Sequence, residues 1–101
     1  MDKKVILVRN KILPPKGYKA IAIWPFIFYR GESLTETTIN HEKIHFAQQK
    51  ELFIIFFYLL YVIFYLIYGY RNMPFEKEAY ENDNNFEYLK NRKFFNWIKY
   101  F

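Results

Sequence analysis

The chain contains no cysteine among its 101 residues. That excludes a disulfide framework and any thiolate chemistry, and it fits a reducing compartment. Glycine and proline are also scarce, at three and four residues, and neither occurs between Glu36 and Tyr68. There is no internal repeat and no low-complexity linker. Near the N-terminus, Met1-Asp2-Lys3-Lys4 is followed by an apolar run of only Val5-Ile6-Leu7-Val8. A cleaved secretion signal needs roughly 7–15 such residues, so no cleavable signal peptide is expected. No nucleic-acid motif is present either, and no nucleic-acid partner is expected. The net charge of +5 comes from bases spread along the chain: Lys3, Lys4, Lys11, Lys16 and Lys19 early, Lys90, Arg92, Lys93 and Lys99 late. These either form an ordinary solvated surface or draw the protein to a membrane surface.

What the chain has in excess is apolar and aromatic matter, 52% and 24% of its residues. So much Phe, Tyr, Ile and Leu excludes intrinsic disorder, and the length allows one domain, residues 1–101, with no second core. The expected location is cytoplasmic or membrane-associated.

The expected fold class is α+β, a small N-terminal antiparallel β-sheet followed by three or more α-helices. Lys4 to Arg9 is short and β-branched and reads as a strand. Pro14-Pro15-Lys16-Gly17 marks a turn. Lys19 to Arg30 reads as a second strand, placed at an edge or bulged because Pro25 cannot donate to a ladder. Ser33-Leu34-Thr35-Glu36 has capping-box spacing, so a helix starts there or at Thr35. It continues as an amphipathic helix to Glu51. Leu52 to Tyr68 then gives seventeen uncharged residues, closed by Gly69 and Asn72-Met73-Pro74. A further helix is expected from Phe75 to about Lys90. The tail, Asn91 to Phe101, alternates basic and aromatic residues; it reads as packing on the domain, with an interfacial anchor as the alternative.

The chemistry is concentrated in His41-Glu42-Lys43-Ile44-His45. Positions i and i+4 share a helical face, so both imidazoles can converge on one metal ion, with Glu42 beside them to take a proton from a metal-bound water. The chain has only two histidines, and chance rarely places two residues four apart on a helix with Glu following the first. Two imidazoles and a carboxylate would leave zinc (Zn2+) one open position for water. With no third histidine, the third ligand must be a carboxylate, and Phe75-Glu76-Lys77-Glu78-Ala79-Tyr80 offers two. Glu76 shares a face with Ala79, Tyr80 and Asp83, whereas Glu78 shares one with Glu81, Asn82 and Asn85, the more hydrated set. Glu76 is therefore the expected ligand and Glu78 the alternative.

An H-E-x-x-H followed some thirty residues later by a helical E-x-E-A resembles the gluzincin metallopeptidases, particularly minimal single-domain ones. The wider pattern at 39–48 and 74–80 is similar to small bacterial proteins. The resemblance implies a zincin-like minimal core, hydrolysis of a peptide or protein substrate, and Glu76 as the Glu of an E-x-x-A-[DN] pattern. Ala79 matches that pattern, while Tyr80 stands where Asp or Asn is usual, the residue that orients a metal-bound imidazole. Glu42 would be the general base. Tyr80 and Arg71 are the candidate oxyanion donors, and the segment Trp24 to Tyr29 is a candidate edge for an extended peptide.

Leu52 to Tyr68 lies at the low end of the roughly 17–25 residues that cross a bilayer. A straight helix from His45 to Gly69 would put its far end about 36 Å away. The seven steps from Gly69 to Glu76 return at most about 24 Å. A break near Lys50 to Phe56 is therefore expected, with Phe57 to Tyr68 folding back along the active helix. Tyr58, Tyr61, Tyr65 and Tyr68 would form one stripe, either a wetter or interfacial side or core aromatics with hydroxyls reaching out. Two other readings remain open: a membrane-embedded protein with a non-catalytic metal site, and a zinc-stabilised binding module.

Overall fold

The structure, a computed structural model, describes residues 5–14, 17–31 and 33–101. Lys3, Lys4, the start of the expected first strand and the middle of the Pro14-Pro15-Lys16-Gly17 turn lie outside them. The architecture is α+β, a three-stranded sheet followed by helices: β1 (Ile6–Arg9), β2 (Ala20–Ile23), β3 (Phe26–Tyr29), α1 (Glu36–Tyr68), α2 (Pro74–Asn82), α3 (Tyr88–Asn91) and a closing 3-10 helix (Asn96–Tyr100).

The sheet departs from expectation in two ways. The stretch from Lys19 to Arg30 is a hairpin rather than one strand, with Ile23 paired to Phe26 across Trp24-Pro25. Pro25 lacks an N–H and cannot continue a ladder, so the chain reverses there, and its carbonyl accepts from Ile6 N–H at 2.8 Å. The sheet is also mixed rather than antiparallel. Its order is β1-β3-β2, with β1 parallel to β3 and β2 antiparallel to it. β3 is therefore central, and the segment Trp24 to Tyr29 has no free edge for a peptide. The edges are β1 and β2. Ala22 and Ile27, a cross-strand pair, bury against Phe46 of α1 and fix the sheet on the helix.

α1 begins at Thr35, whose side chain accepts from Thr38 N–H at 3.1 Å; the orphan donors of the first turn select such a cap. The helix breaks at Phe53, which adopts φ 56°, ψ 146°, inside the expected window. It thus has two arms, residues 36–52 and 54–68. The second arm folds back on the first: the rings of His45 and Phe57 are 6.0 Å apart, where a straight helix would separate these residues by roughly 18 Å. No glycine or proline marks the break. The fold imposes it, because Phe57 buries against Phe75 (4.7 Å between ring centroids). The end of the first arm is pinned as well. The buried Glu51 carboxylate accepts from Arg92 at 2.6 and 3.1 Å and from the Phe95 N–H.

By length and composition α1 is apolar enough to cross a membrane, yet only 6% of its most apolar window is buried.

α2 starts with Pro74 in its first turn and Met73 at the cap. The helix expected to reach Lys90 stops at Asn82. Asn40 supplies the reason: its Nδ2 lies 3.0 Å from Asp83 O and 3.1 Å from Asn85 O, offering donors to carbonyls that a continuing helix would need for itself. The tail packs on the domain through Trp97, buried on Phe75 at 4.8 Å and near Phe64 at 6.3 Å.

Candidate metal centre

The first arm of α1 presents His41 and His45 one turn apart, and the first turn of α2 presents Glu76. His41 Nε2 lies 3.1 Å and His45 Nε2 3.2 Å from the same oxygen, Glu76 Oε1. Mutually, the three donor atoms lie within 4.8 Å, and all three residues are buried. This group can hold a metal ion.

The far side of each ring decides what the near side offers. His45 Nδ1 is 2.8 Å from Gln48 Oε1. The Gln48 amide nitrogen points instead at Phe75 O (3.1 Å) and Glu78 Oε1 (2.8 Å). Both of those can only accept, so the amide orientation is fixed and Nδ1 of His45 must carry the proton. His41 Nδ1 lies 2.9 Å from Asp83 Oδ2, which accepts in the same sense. Two imidazoles so anchored turn their Nε2 atoms to one carboxylate oxygen, where a proton or a metal ion can bridge ring and carboxylate. Tyr61, from the second arm, donates to Glu76 Oε2 at 2.6 Å and leaves Oε1 facing the rings.

Electrostatics agree with this geometry. For His45, burial alone would lower the pKa, but the Glu76 carboxylate, Glu42 and Gln48 outweigh it and push the ring up to about 9. Burial opposes ionisation of Glu76 as well, but the imidazoles and Tyr61 hold its carboxyl far below the ordinary range. Glu42 behaves oppositely: burial lifts it to about 7, against the pull of the two histidines and a hydrogen bond from the Ala22 backbone. A carboxylate poised near neutrality suits a proton acceptor.

Two cavities meet at Glu42. One of about 180 Å³ is lined by β2, by His45 and Glu76, and by Tyr58, Tyr61 and Tyr65. The other, of about 260 Å³, runs past His41, Tyr80 and Asp83. Tyr18, Ala20 and Tyr70 border both. Along β2 the Ala22 carbonyl accepts from Gln49 Nε2 (2.8 Å) and from the Tyr58 hydroxyl, and Gln49 Oε1 accepts from Trp24 N–H at 2.9 Å.

Glu78, the alternative ligand, lies elsewhere. It is itself fully buried, although Glu81 and Asn85 on its face are exposed, as expected. Its carboxylate is engaged by Arg92, by the Tyr88 hydroxyl (2.6 Å) and by Gln48. The ion pair with Arg92 makes this buried carboxylate acceptable. Of the oxyanion candidates, Tyr80 packs edge-on against His41 at 4.4 Å and shares a hydrogen bond with Tyr70 at 2.9 Å. Arg71 stacks on the Tyr80 ring, 3.8 Å from its centroid, and lines neither cavity.

Three positioning residues escaped the sequence reading. Asp83 fills the orienting role that Tyr80 left empty; its signal was the shared face with Glu76, seven residues on. Gln48, three residues past His45, had a weaker signal. Tyr61 stood in the tyrosine stripe, whose upper members point at the site, with hydroxyls on Ala22 and Glu76, rather than outward.

Comparison with known proteins yields no match: no family model fits the chain, and neither a curated protein nor a solved structure is significantly similar to it. The likeness to gluzincins rests on these residues alone.

Proposed function

We propose that the protein is a zinc-dependent, metallopeptidase-like hydrolase acting on peptide bonds. The observation that carries this reading is the convergence of His41, His45 and Glu76 on one point, with both distal ring nitrogens held by acceptors and Glu42 beside them in the cleft. Two imidazoles and a carboxylate suit zinc, which when bound supplies a Lewis acid and acidifies a water molecule.

The chain's own groups do the rest. Glu42 accepts the proton of the attacking water and passes it to the leaving amine. Asp83 and Gln48 keep the ligating tautomer and hold the rings in place. The edge strand β2 offers the outward backbone of Ala20 to an extended substrate, since Gln49 and Tyr58 already occupy the carbonyl of Ala22. Tyr70 borders both cavities, which makes it the better donor to a developing oxyanion than Tyr80, whose ring is committed to His41.

The test is elemental analysis of purified protein together with hydrolysis of unfolded protein substrates. About one zinc per chain is expected, lost in His45→Ala. Glu42→Gln should keep the metal and lose hydrolysis. Metal retention with no hydrolysis by the wild type would replace this reading with that of a zinc-stabilised binding module. Equal hydrolysis by Glu42→Gln would remove Glu42 as the base.

A further inference from the structure

The second arm of α1 has two apolar faces, and only one is used. Phe57, Tyr58, Tyr61 and Phe64 turn inward to the core and the metal group. On the opposite side Ile55, Phe56, Leu59, Val62, Ile63 and Leu66 fall within an arc of roughly 120°. These six are between 41% and 79% exposed. Seventeen successive uncharged residues thus give a helix that is hydrophobic all round while half of it faces outward, a pattern that demands a further apolar phase.

The C-terminal segment adds further exposed apolar side chains. Phe101 packs on Phe64 at 5.2 Å and on Tyr68 at 6.1 Å, and it stays largely exposed, as do Phe94 and Ile98. Lys93 and Lys99, both exposed, are interleaved with these side chains. We propose that this surface, the outward face of residues 54–68 with the basic-aromatic tail, docks on an anionic phospholipid bilayer, lying in the plane of the interface.

Charge and length select that occupant. A second copy of the chain would bring two surfaces of the same sign together, each on a molecule of net charge +5, whereas an anionic headgroup layer neutralises Lys93 and Lys99 as the aromatics insert. A spanning arrangement fails on length: residues 54–68 measure about 22 Å as a helix, against roughly 30 Å of hydrocarbon. It fails on bonding too, because Tyr58 and Tyr61 tie the inner face to Ala22 and Glu76. The outward residues touch neither metal ligands nor Glu42, so this proposal stands apart from the hydrolase reading.

The experiment is flotation of the full chain with vesicles of phosphatidylcholine alone or mixed with phosphatidylglycerol, at low and high salt. The wild type should float with the mixed vesicles, and high salt should weaken binding. Leu59→Glu/Leu66→Glu should lower partitioning more than about tenfold, and Lys93→Glu/Lys99→Glu should remove the preference for phosphatidylglycerol. The lysine pair lies outside the helix and remains informative if the leucine pair fails to fold. Failure of the wild type to float, or equal flotation by folded variants, would overturn the proposal. So would a dimer abolished by the leucine changes without vesicle binding. Resistance of bound protein to an alkaline carbonate wash would replace surface docking with a spanning helix.

Discussion

His41 and Asp83 stand 42 residues apart in sequence, and the Nδ1 and Oδ2 atoms of the pair lie 2.9 Å apart. This contact joins the helix carrying the imidazoles to the end of the helix carrying Glu76, so the ligand geometry and the docking of α2 on α1 are one arrangement. Partners of this kind typically change metal affinity 10–100-fold when removed. Asp83→Ala should therefore weaken zinc binding by about that factor without abolishing it, measured by competition with a chromophoric chelator. Glu76→Ala should reduce it further. An Asp83→Ala protein with unchanged affinity would show that the carboxylate does not orient the ring.

Metal affinity should rise with pH. In the metal-free protein Glu76 and its neighbours hold the His45 proton up to about pH 9, against about 6.5 for a free imidazole. A metal must displace that proton, so apparent affinity should increase as pH climbs from 6.5 toward 9, with proton release on binding. Stability of the metal-free chain runs the other way. The folded state binds more protons than the unfolded one in this window, so the contribution of His45 is full below 6.5 and is lost as pH rises through 9. Urea denaturation across that range, with His45→Gln as the control lacking the trend, checks the sign.

Glu42→Gln should lower hydrolysis at least about 100-fold while leaving metal content unchanged. Burial lifts the Glu42 carboxyl to about 7 in the metal-free chain, and a cation bound beside it lowers that value. The acid limb of the wild-type kcat/KM profile should therefore lie below pH 7, and the residual activity of the variant should lack this limb.

Arg92 compensates two buried carboxylates at once, Glu51 and Glu78. Arg92→Met leaves both without a cation in the core, and breaking a buried pair in this way costs about 3–5 kcal/mol. The expected result is a large fall in urea midpoint, partly restored by adding Glu51→Gln.

At Phe53 the ordinary ranking of small residues in a helix should invert. Alanine normally exceeds glycine by roughly 1 kcal/mol, but a φ of 56° with ψ of 146° is strained for any side chain bearing a Cβ, by about 1–3 kcal/mol. The Phe53 ring is largely exposed, so little packing is lost. Phe53→Gly should be more stable than Phe53→Ala in chemical denaturation. The usual order would mean that the break does not exist in solution.

The sequence alone determined the elements whose signals are local. Capping chemistry narrowed the start of α1 to Ser33 or Thr35, of which the structure uses Thr35, and the spacing of His41, Glu42 and His45 put their chemistry on one helical turn. Chain reach required a break between Lys50 and Phe56, because Glu76 has to return to those histidines within seven residues of Gly69. Other features were decided by contacts between segments distant in the chain. A hairpin and a strand have no intrinsic order, so β3 became central only when β1 paired beside it. Asn40 ended α2 early by drawing carbonyls from the turn after it, and Arg92 made a buried site of Glu78. Asp83, Gln48 and Tyr61 reached their places around the ligands for the same reason: hydrogen-bond partners are chosen by proximity in space. One-dimensional spacing carries that information only within a helical turn or a strand pair, and tertiary packing alone supplies it elsewhere.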